Sequence, residues 1–338
     1  LATSIAGLAS PAIEVARATS IAGLASLAAS LPAGHLGDTR GPREVLMWIM
    51  ALAAVATPLP VLARSPLVLA ILLGAEAALA ASANAVRNGI IAQIAIGGRG
   101  VAFKAYLRAV TNSAIGLGSL AGGAALLVDT TAAYVAVFVG AGVLTALAAW
   151  NSTRLVHLPP HPVAAGEPRL AVLRDRPYVA VCLATSVFAT HFVVAELGVA
   201  LFVSQRTNAP TVIIAVMLLL NTLAVTLLQV RLSRSADSVP RGGRALVRGS
   251  LLIAAGFAFI GFAEGMPPWA AVTVLVAGAL VHVAGEIVGS GGTWALQMGL
   301  APHERQGQYQ GFASLGFSLM AVFGPPLVAL LCVGMGRW

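Results

Sequence analysis

Charge is what this sequence has least of. Only 9% of its 338 residues are Asp, Glu, Lys or Arg, where a soluble domain carries about a quarter. That scarcity excludes a single water-soluble core. Lysine is nearly absent, with Lys104 alone beside 19 arginines. Cysteine is rarer than chance would give: Cys182 and Cys332 each sit inside an apolar run. Two isolated thiols exclude a disulfide framework and a cysteine-built zinc site. Motifs for other chemistry are missing too. The chain has no G-x-x-x-x-G-K-[ST] phosphate loop, no H-E-x-x-H, no G-x-S-x-G and no C-x-x-C, so direct ATP use and the common hydrolytic sites find no support. No cofactor and no metal site is expected.

What fills the space is apolar: 58% hydrophobic residues and a mean hydropathy of +0.90. The few charges are bunched, leaving 19 uncharged residues between Glu44 and Arg64, 20 between Arg108 and Asp129, and 24 between Arg206 and Arg231. A helix needs roughly 20 apolar residues to cross the hydrocarbon core. The chain therefore reads as spans at 1–13, 18–37, 45–63, 66–97, 101–128, 131–150, 177–204, 210–230, 245–264, 268–300 and 308–335, the first too short to cross. The link 151–176 is the longest polar stretch. It divides an N-terminal bundle, 1–150, from a C-terminal bundle, 177–338.

A net charge of +8 is no nucleic-acid signal, because the arginines gather in links and form no single face. Fifteen of the 20 basic residues fall on the side of the 32–44 link, among them Arg154, Arg169, Arg231, Arg241, Arg248 and Arg305. The opposite side holds Arg17, Arg64, Arg206 and Arg337. The positive-inside rule places the richer side in the cytoplasm.

The links repeat. GDTRGPREVL at 37–46 has a basic counterpart, SADSVPRGGRAL, at 235–246, and GGRGVAFKAYLR at 97–108 is echoed by PHERQGQYQG at 302–311. Two helical halves that repeat one another mark secondary transporters. The spacing Gly34-x-Leu36-x-Asp38-x-x-Gly41-x-Arg43-x-x-Leu46 resembles the signature loop of the major facilitator superfamily, with Thr39 where arginine is usual and Pro42 as a second departure. The resemblance implies an all-helical membrane fold of two pseudo-symmetric six-helix bundles, of which this chain carries part of helix 1 through helix 11. It also implies a gate at the cytoplasmic end built from Gly34, Asp38, Arg40, Gly41 and Arg43, with the aspartate near a helix N-terminus. Gly118-Ser119-x-x-Gly122-Gly123 resembles the antiporter stretch G-P-x-x-G-G, with serine for proline. AYLRAVTN (105–112) and GQYQGFASLG (307–316) resemble actinobacterial drug or metabolite exporters of the same superfamily.

Ionisable groups within spans are costly and mark function. Glu76 and Arg87 lie on span 66–97, Glu196 and His191 on 177–204, Glu286 and His282 on 268–300. His282 and Glu286 are four apart and share a face. Glu286 and Glu196 are the expected sites of exchange between protons and substrate. Asn112, Asn221 and Trp294 are expected around them, making a mixed apolar and acidic pocket for an amphipathic cation. The expected protein is thus a monomeric multi-pass transporter of a bacterial inner membrane, exporting a small organic molecule against protons. Uptake by symport or uniport stays open, as does a receptor or scaffold. A membrane-embedded enzyme would need a converging catalytic set, which the spans do not offer.

Overall fold

Proline and glycine decide where this chain turns. The computed structural model describes residues 2–95, 98–162, 168 and 170–330, and for 2–19, 98, 321, 325 and 329 the backbone alone. Arg169, Cys332, Arg337 and the end of the last expected span lie outside the described residues. Every regular element among those described is helical: α1 (Ala2–Arg40), α2 (Pro42–Ala56), α3 (Pro66–Ile94), α4 (Gly98–Val128), α5 (Thr131–Ser152), α6 (Arg176–Val193), α7 (Val199–Arg206), α8 (Val212–Ser233), α9 (Val239–Gly261), α10 (Pro268–Gly299) and α11 (Gln306–Ala329). Pro42, Pro66 and Pro268 open their helices, where a missing N–H costs nothing. Eight segments among the described residues are long and apolar enough to cross a membrane. The segment Arg176–Arg206 is one of them, running from α6 into α7 through a π-helical turn at Val194–Gly198.

Two expectations change. The stretches 1–13 and 18–37 are not separate spans but parts of α1. Nothing between them stops a helix, since residues 12–22 hold neither glycine nor proline and Glu14 and Arg17 are tolerated helix formers. The polar knot at 32–44 is likewise helical up to Arg40, and a single residue breaks it. Gly41 has φ 99°, a left-handed conformation that glycine adopts without penalty, and Pro42 starts α2 at once.

The chain forms two compact units that cut across α4 and α11. The first comprises residues 1–93, 118–176 and 302–322, the second 94–117, 177–301 and 323–338. Unit 1 is cored by Ala33, Val45, Leu46, Val86 and Ile90, with Leu155 and Leu158 of the long link packed against them. In unit 2, Val199, Phe202, Val203, Ile213, Ile260 and Leu275 form one core, while Val225, Val283 and Ile287 form another. α9 and α10 meet backbone to backbone: a methyl on Gly249 would lie 2.5 Å from the Gly289 Cα. Without a hydrophobic drive between helices in lipid, such small-residue seams carry the packing. They fix α10, and with it the polar residues of unit 2.

Candidate functional site: a charged cavity and a helix-end clasp

Glu286 is 3% exposed on α10. Burying a carboxylate costs several kcal/mol unless it is paired and hydrogen-bonded, and here it is both. The Arg108 guanidinium of α4 donates to Oε1 through Nη2. Asn221 of α8 donates to Oε2 at 2.8 Å. Arg108 also donates to Ser290 Oγ at 2.5 Å, one turn beyond Glu286, and its guanidinium lies 5.4 Å from the Phe192 ring. Three helices of unit 2 are thus tied at one charge pair.

The pair borders a cavity of about 380 Å3 lined mainly by apolar side chains, including Phe192, Ile214, Met217, Leu218, Phe257 and Ile260. The polar lining is Arg108, Asn112, Glu196, Asn221, His282 and Glu286. Glu196 stands on the π-helical turn, a distortion often found at functional sites because the extra residue re-aims the side chains beyond it. It is exposed and has no hydrogen-bond or ion-pair partner among the described residues. The lining therefore holds one matched pair and one uncompensated carboxylate.

His191 and His282 sit behind this surface, both buried, their ring centroids 5.3 Å apart. His191 Nδ1 donates to Phe188 O at 2.6 Å, which leaves Nε2 as the lone-pair nitrogen. The Nε2 atoms of both rings are buried without a partner among the described residues. Of the two, only His282 lines the cavity.

Other expected residues lie elsewhere. Trp294 does not line the cavity; its ring packs beside Val101, Ala245 and Ala295, with Lys104 Nζ 5.9 Å from the ring centroid. Eight residues past Glu286 amount to roughly 80° of rotation about the helix axis, enough to turn the indole away. Arg87 and Glu76 belong to unit 1. Arg87 donates to Asn84 Oδ1 one turn back, and Glu76 has no partner among the described residues. A methyl at Gly118, Gly122 or Gly123 would meet no atom within 4 Å, so no close helix approach is made there. Sequence reasoning missed Arg108, counting it as a topogenic charge. The signal was its position seven residues inside the expected span 101–128.

The second site is in unit 1. Asp38 is 2% exposed, and its carboxylate accepts from the backbone N–H of Gly307 at 2.8 Å and of Gln308 at 2.7 Å. These are orphan donors of the first turn of α11. The carboxylate therefore caps a helix nearly 270 residues away in the sequence and gains from its dipole. Gly34 makes this approach possible: a Cβ there would lie 2.0 Å from Gly307 O. His35 Nδ1 and Gln308 Nε2 are 3.0 Å apart, and Tyr309 donates to Asp175 at 3.0 Å. The long link closes over the motif, with His161 N donating to Asp38 O at 2.7 Å and Arg43 to Thr153 O. Arg40 is exposed and unpartnered among the described residues. Asp38 lies past the last apolar turn of α1, outside the spans. Burial pushes its carboxyl from 3.8 up to about 6, against the opposing pull of the two amide bonds and Arg305.

A family model described as Major Facilitator Superfamily matches residues 3–334. No curated protein matches the chain. Among solved structures, the human organic anion transporter MFSD10 (TETRAN) superposes with a TM-score of 0.70 at 18% identity, covering 94% of this chain and 78% of that one. A bacterial homologue of the iron transporter ferroportin, in an outward-facing state, gives 0.65 at 15% identity over 92% and 86%. The proton:xylose symporter XylE gives 0.65 at 13% identity over 94% and 79%. At such identities the likeness is one of fold.

Proposed function

The chain belongs to the major facilitator superfamily, and on that premise we propose that it exports a small, singly charged, amphipathic organic cation in exchange for protons. The family and its structural neighbours are transporters rather than enzymes, and the chain is a multi-pass membrane protein. One observation carries the finer reading. The cavity of unit 2 has an apolar and aromatic lining, a neutralised Arg108–Glu286 pair, and one carboxylate, Glu196, left without a counter-charge. A cation with an apolar body satisfies both parts of that lining. Because Glu196 can hold a proton or an ammonium but not both, binding of one releases the other. That competition is the simplest physical basis for antiport.

Arg108 and Glu286 then set the charge of the cavity, with Asn112, Asn221 and His282 around them to orient the polar end of a substrate. His191, Arg87, Glu76 and Trp294 lie outside this lining, and the reading gives them no contact with substrate. Access alternates by rocking of the N-terminal and C-terminal halves, and the Asp38 contact with α11 is the latch that must open and close. The setting is the inner membrane of a bacterium, and a monomer suffices.

The test is the full-length protein in liposomes with an acidic interior and an enclosed pH dye. Adding an organic cation outside should alkalinise the interior. Glu196→Gln removes a charged partner worth about 2 kcal/mol, so the half-saturating cation concentration should rise roughly 30-fold. Ser119, in place of the antiporter proline, keeps open the competing reading, uptake by symport or facilitated diffusion. Substrate-driven acidification of the interior would establish symport. Transport with no pH change in wild type would leave a uniporter.

A further inference from the structure

A second cavity in unit 2, of about 390 Å3, is lined by Ser235, Arg241, Arg244, Arg248, Ala245 and Val288. Three of its six lining residues are arginines from the first turns of α9. Arg241 donates to Asp237 Oδ2 at 2.6 Å, in the link just before α9. Arg244 and Arg248 are exposed and have no partner among the described residues. Opposed by one acid, these cations leave the groove with a surplus of positive charge. Its floor, Ala245 and Val288, is apolar, so the groove is not a closed polar cage of the kind that would hold a free anion by many hydrogen bonds.

What lies next to the arginines along α9 decides the occupant. Arg244, Arg248, Leu251 and Phe262 fall on one helical stripe, since Leu251 and Phe262 are within about 20° of Arg244 around the axis. Leu251 is 66% and Phe262 65% exposed. At 1.5 Å per residue, Phe262 lies about 27 Å from Arg244 along the axis, close to the depth of a hydrocarbon core. The groove is therefore the charged end of a bare apolar strip of bilayer length. The charge distribution of the links puts this end at the cytoplasmic surface, where a leaflet rich in anionic lipid meets basic residues.

We propose that this groove is a binding site for an anionic phospholipid of the cytoplasmic leaflet. Arg244 and Arg248 take the phosphodiester, Arg241 contributes from its Asp237 pair, and the glycerol rests on Ala245 and Val288. The acyl chains follow Leu251 and its neighbours down α9. Guanidinium forks bind phosphate oxygens two at a time, which a lysine ammonium does not. The arginine bias of the chain suits such a site.

The experiment is native mass spectrometry of the full-length protein in detergent, titrated in parallel with phosphatidylglycerol, phosphatidylcholine and inorganic phosphate. The expected result is retention of phosphatidylglycerol at least tenfold above phosphatidylcholine. Arg244→Gln and Arg248→Gln should each lower it about fivefold. The control Arg174→Gln, at another exposed arginine, should change nothing. Arg244→Lys with Arg248→Lys should recover part of the retention, which a merely misfolded variant would not. Equal retention of both lipids, or retention unchanged in the glutamine variants, would overturn the proposal. So would displacement of phosphatidylglycerol by millimolar inorganic phosphate, since the groove would then serve a soluble anion.

Discussion

Asp38 and Asp237 occupy corresponding places in the two repeated links, yet their carboxylates do opposite things. Asp38 is 2% exposed and reaches across unit 1 to cap the first turn of α11. Asp237 is turned back on its own segment, its Oδ2 bound by Arg241 four residues on, with its side chain 38% exposed. Its Oδ1 is buried without a partner among the described residues. The physical difference lies in what faces each acid. Gly34 and Gly89 flank Gly307 closely enough that a Cβ on either would collide with it, so α11 can bring its amides to Asp38. At the second link, Gly243 has nothing within 4 Å, and Gly242 packs on Gly292 and Ala295 inside α10, the flank of a helix and not its end. A repeated motif thus supplies the same residue types twice, and only the approach of a helix end turns one copy into a clasp.

The sharpest way to break this comparison is to neutralise both acids. Asn in place of Asp38 keeps one acceptor but sets an amide N–H2 against a backbone N–H. A buried amide donor left unsatisfied there costs about 1–3 kcal/mol. Transport by Asp38→Asn should fall at least tenfold while the protein still inserts. Asp237→Asn loses only an exposed i,i+4 pair, and such pairs contribute little, so transport should stay within about twofold of wild type. Uptake rates at matched protein levels in liposomes decide it. Equal losses would mean that the two links act alike and that the clasp is not special.

Substituting glycine probes the same contrast through sterics. Gly307→Ala places a methyl 2.5 Å from Gly34 O and 2.7 Å from Asp38 Oδ1. The helix end must back away, at about 1–3 kcal/mol for such overpacking, whereas Gly243→Ala should be silent. Thermal unfolding in detergent would show the difference. The clasp should also respond to pH. The Asp38 carboxyl is raised from 3.8 to about 6 when buried, so closing takes up a proton between those values. Its contribution is fully present below about pH 4 and is lost as pH rises through about 6. Amide exchange at Gly307 and Gln308, corrected for intrinsic rates, should show stronger protection at pH 5 than at pH 7. Asp38→Asn should abolish that slope.

The sequence made the membrane architecture legible because charge, proline and glycine all mark ends. Starts at Pro42, Pro66 and Pro268 fall within three residues of those expected at 45, 66 and 268. The join of 1–13 to 18–37 was not legible, since Glu14 and Arg17 look like a link until one notes that nothing there stops a helix. Asp38 and its helix end could be anticipated from the motif, but α11 as the helix it caps could not, because spacing carries no long-range pairing. Glu286 and Asn221 were found from their intramembrane positions. Arg108 was missed because an arginine near a span end serves topology and ion pairing equally well, and only the fold shows which. Trp294 was misplaced by treating two turns as one face, when 3.6 residues per turn leaves eight residues well out of phase.

The smallest expected effect is the most local. Arg241 holds the Asp237 carboxyl below its ordinary value of 3.8, chiefly through their hydrogen bond. Arg241→Gln should let that carboxyl rise back toward 3.8, seen by carbon-13 NMR of labelled aspartate. Asp38, in the same spectra, should keep its raised value, and transport should change by less than about twofold. The sign matters more than the size. Two aspartates displaced in opposite directions, one by burial against a helix end and one by an arginine at the surface, are what the structural comparison requires. If Arg241→Gln instead cut transport as deeply as Asp38→Asn, the Asp237 pair would be a gate in its own right, and the asymmetry between the links would vanish.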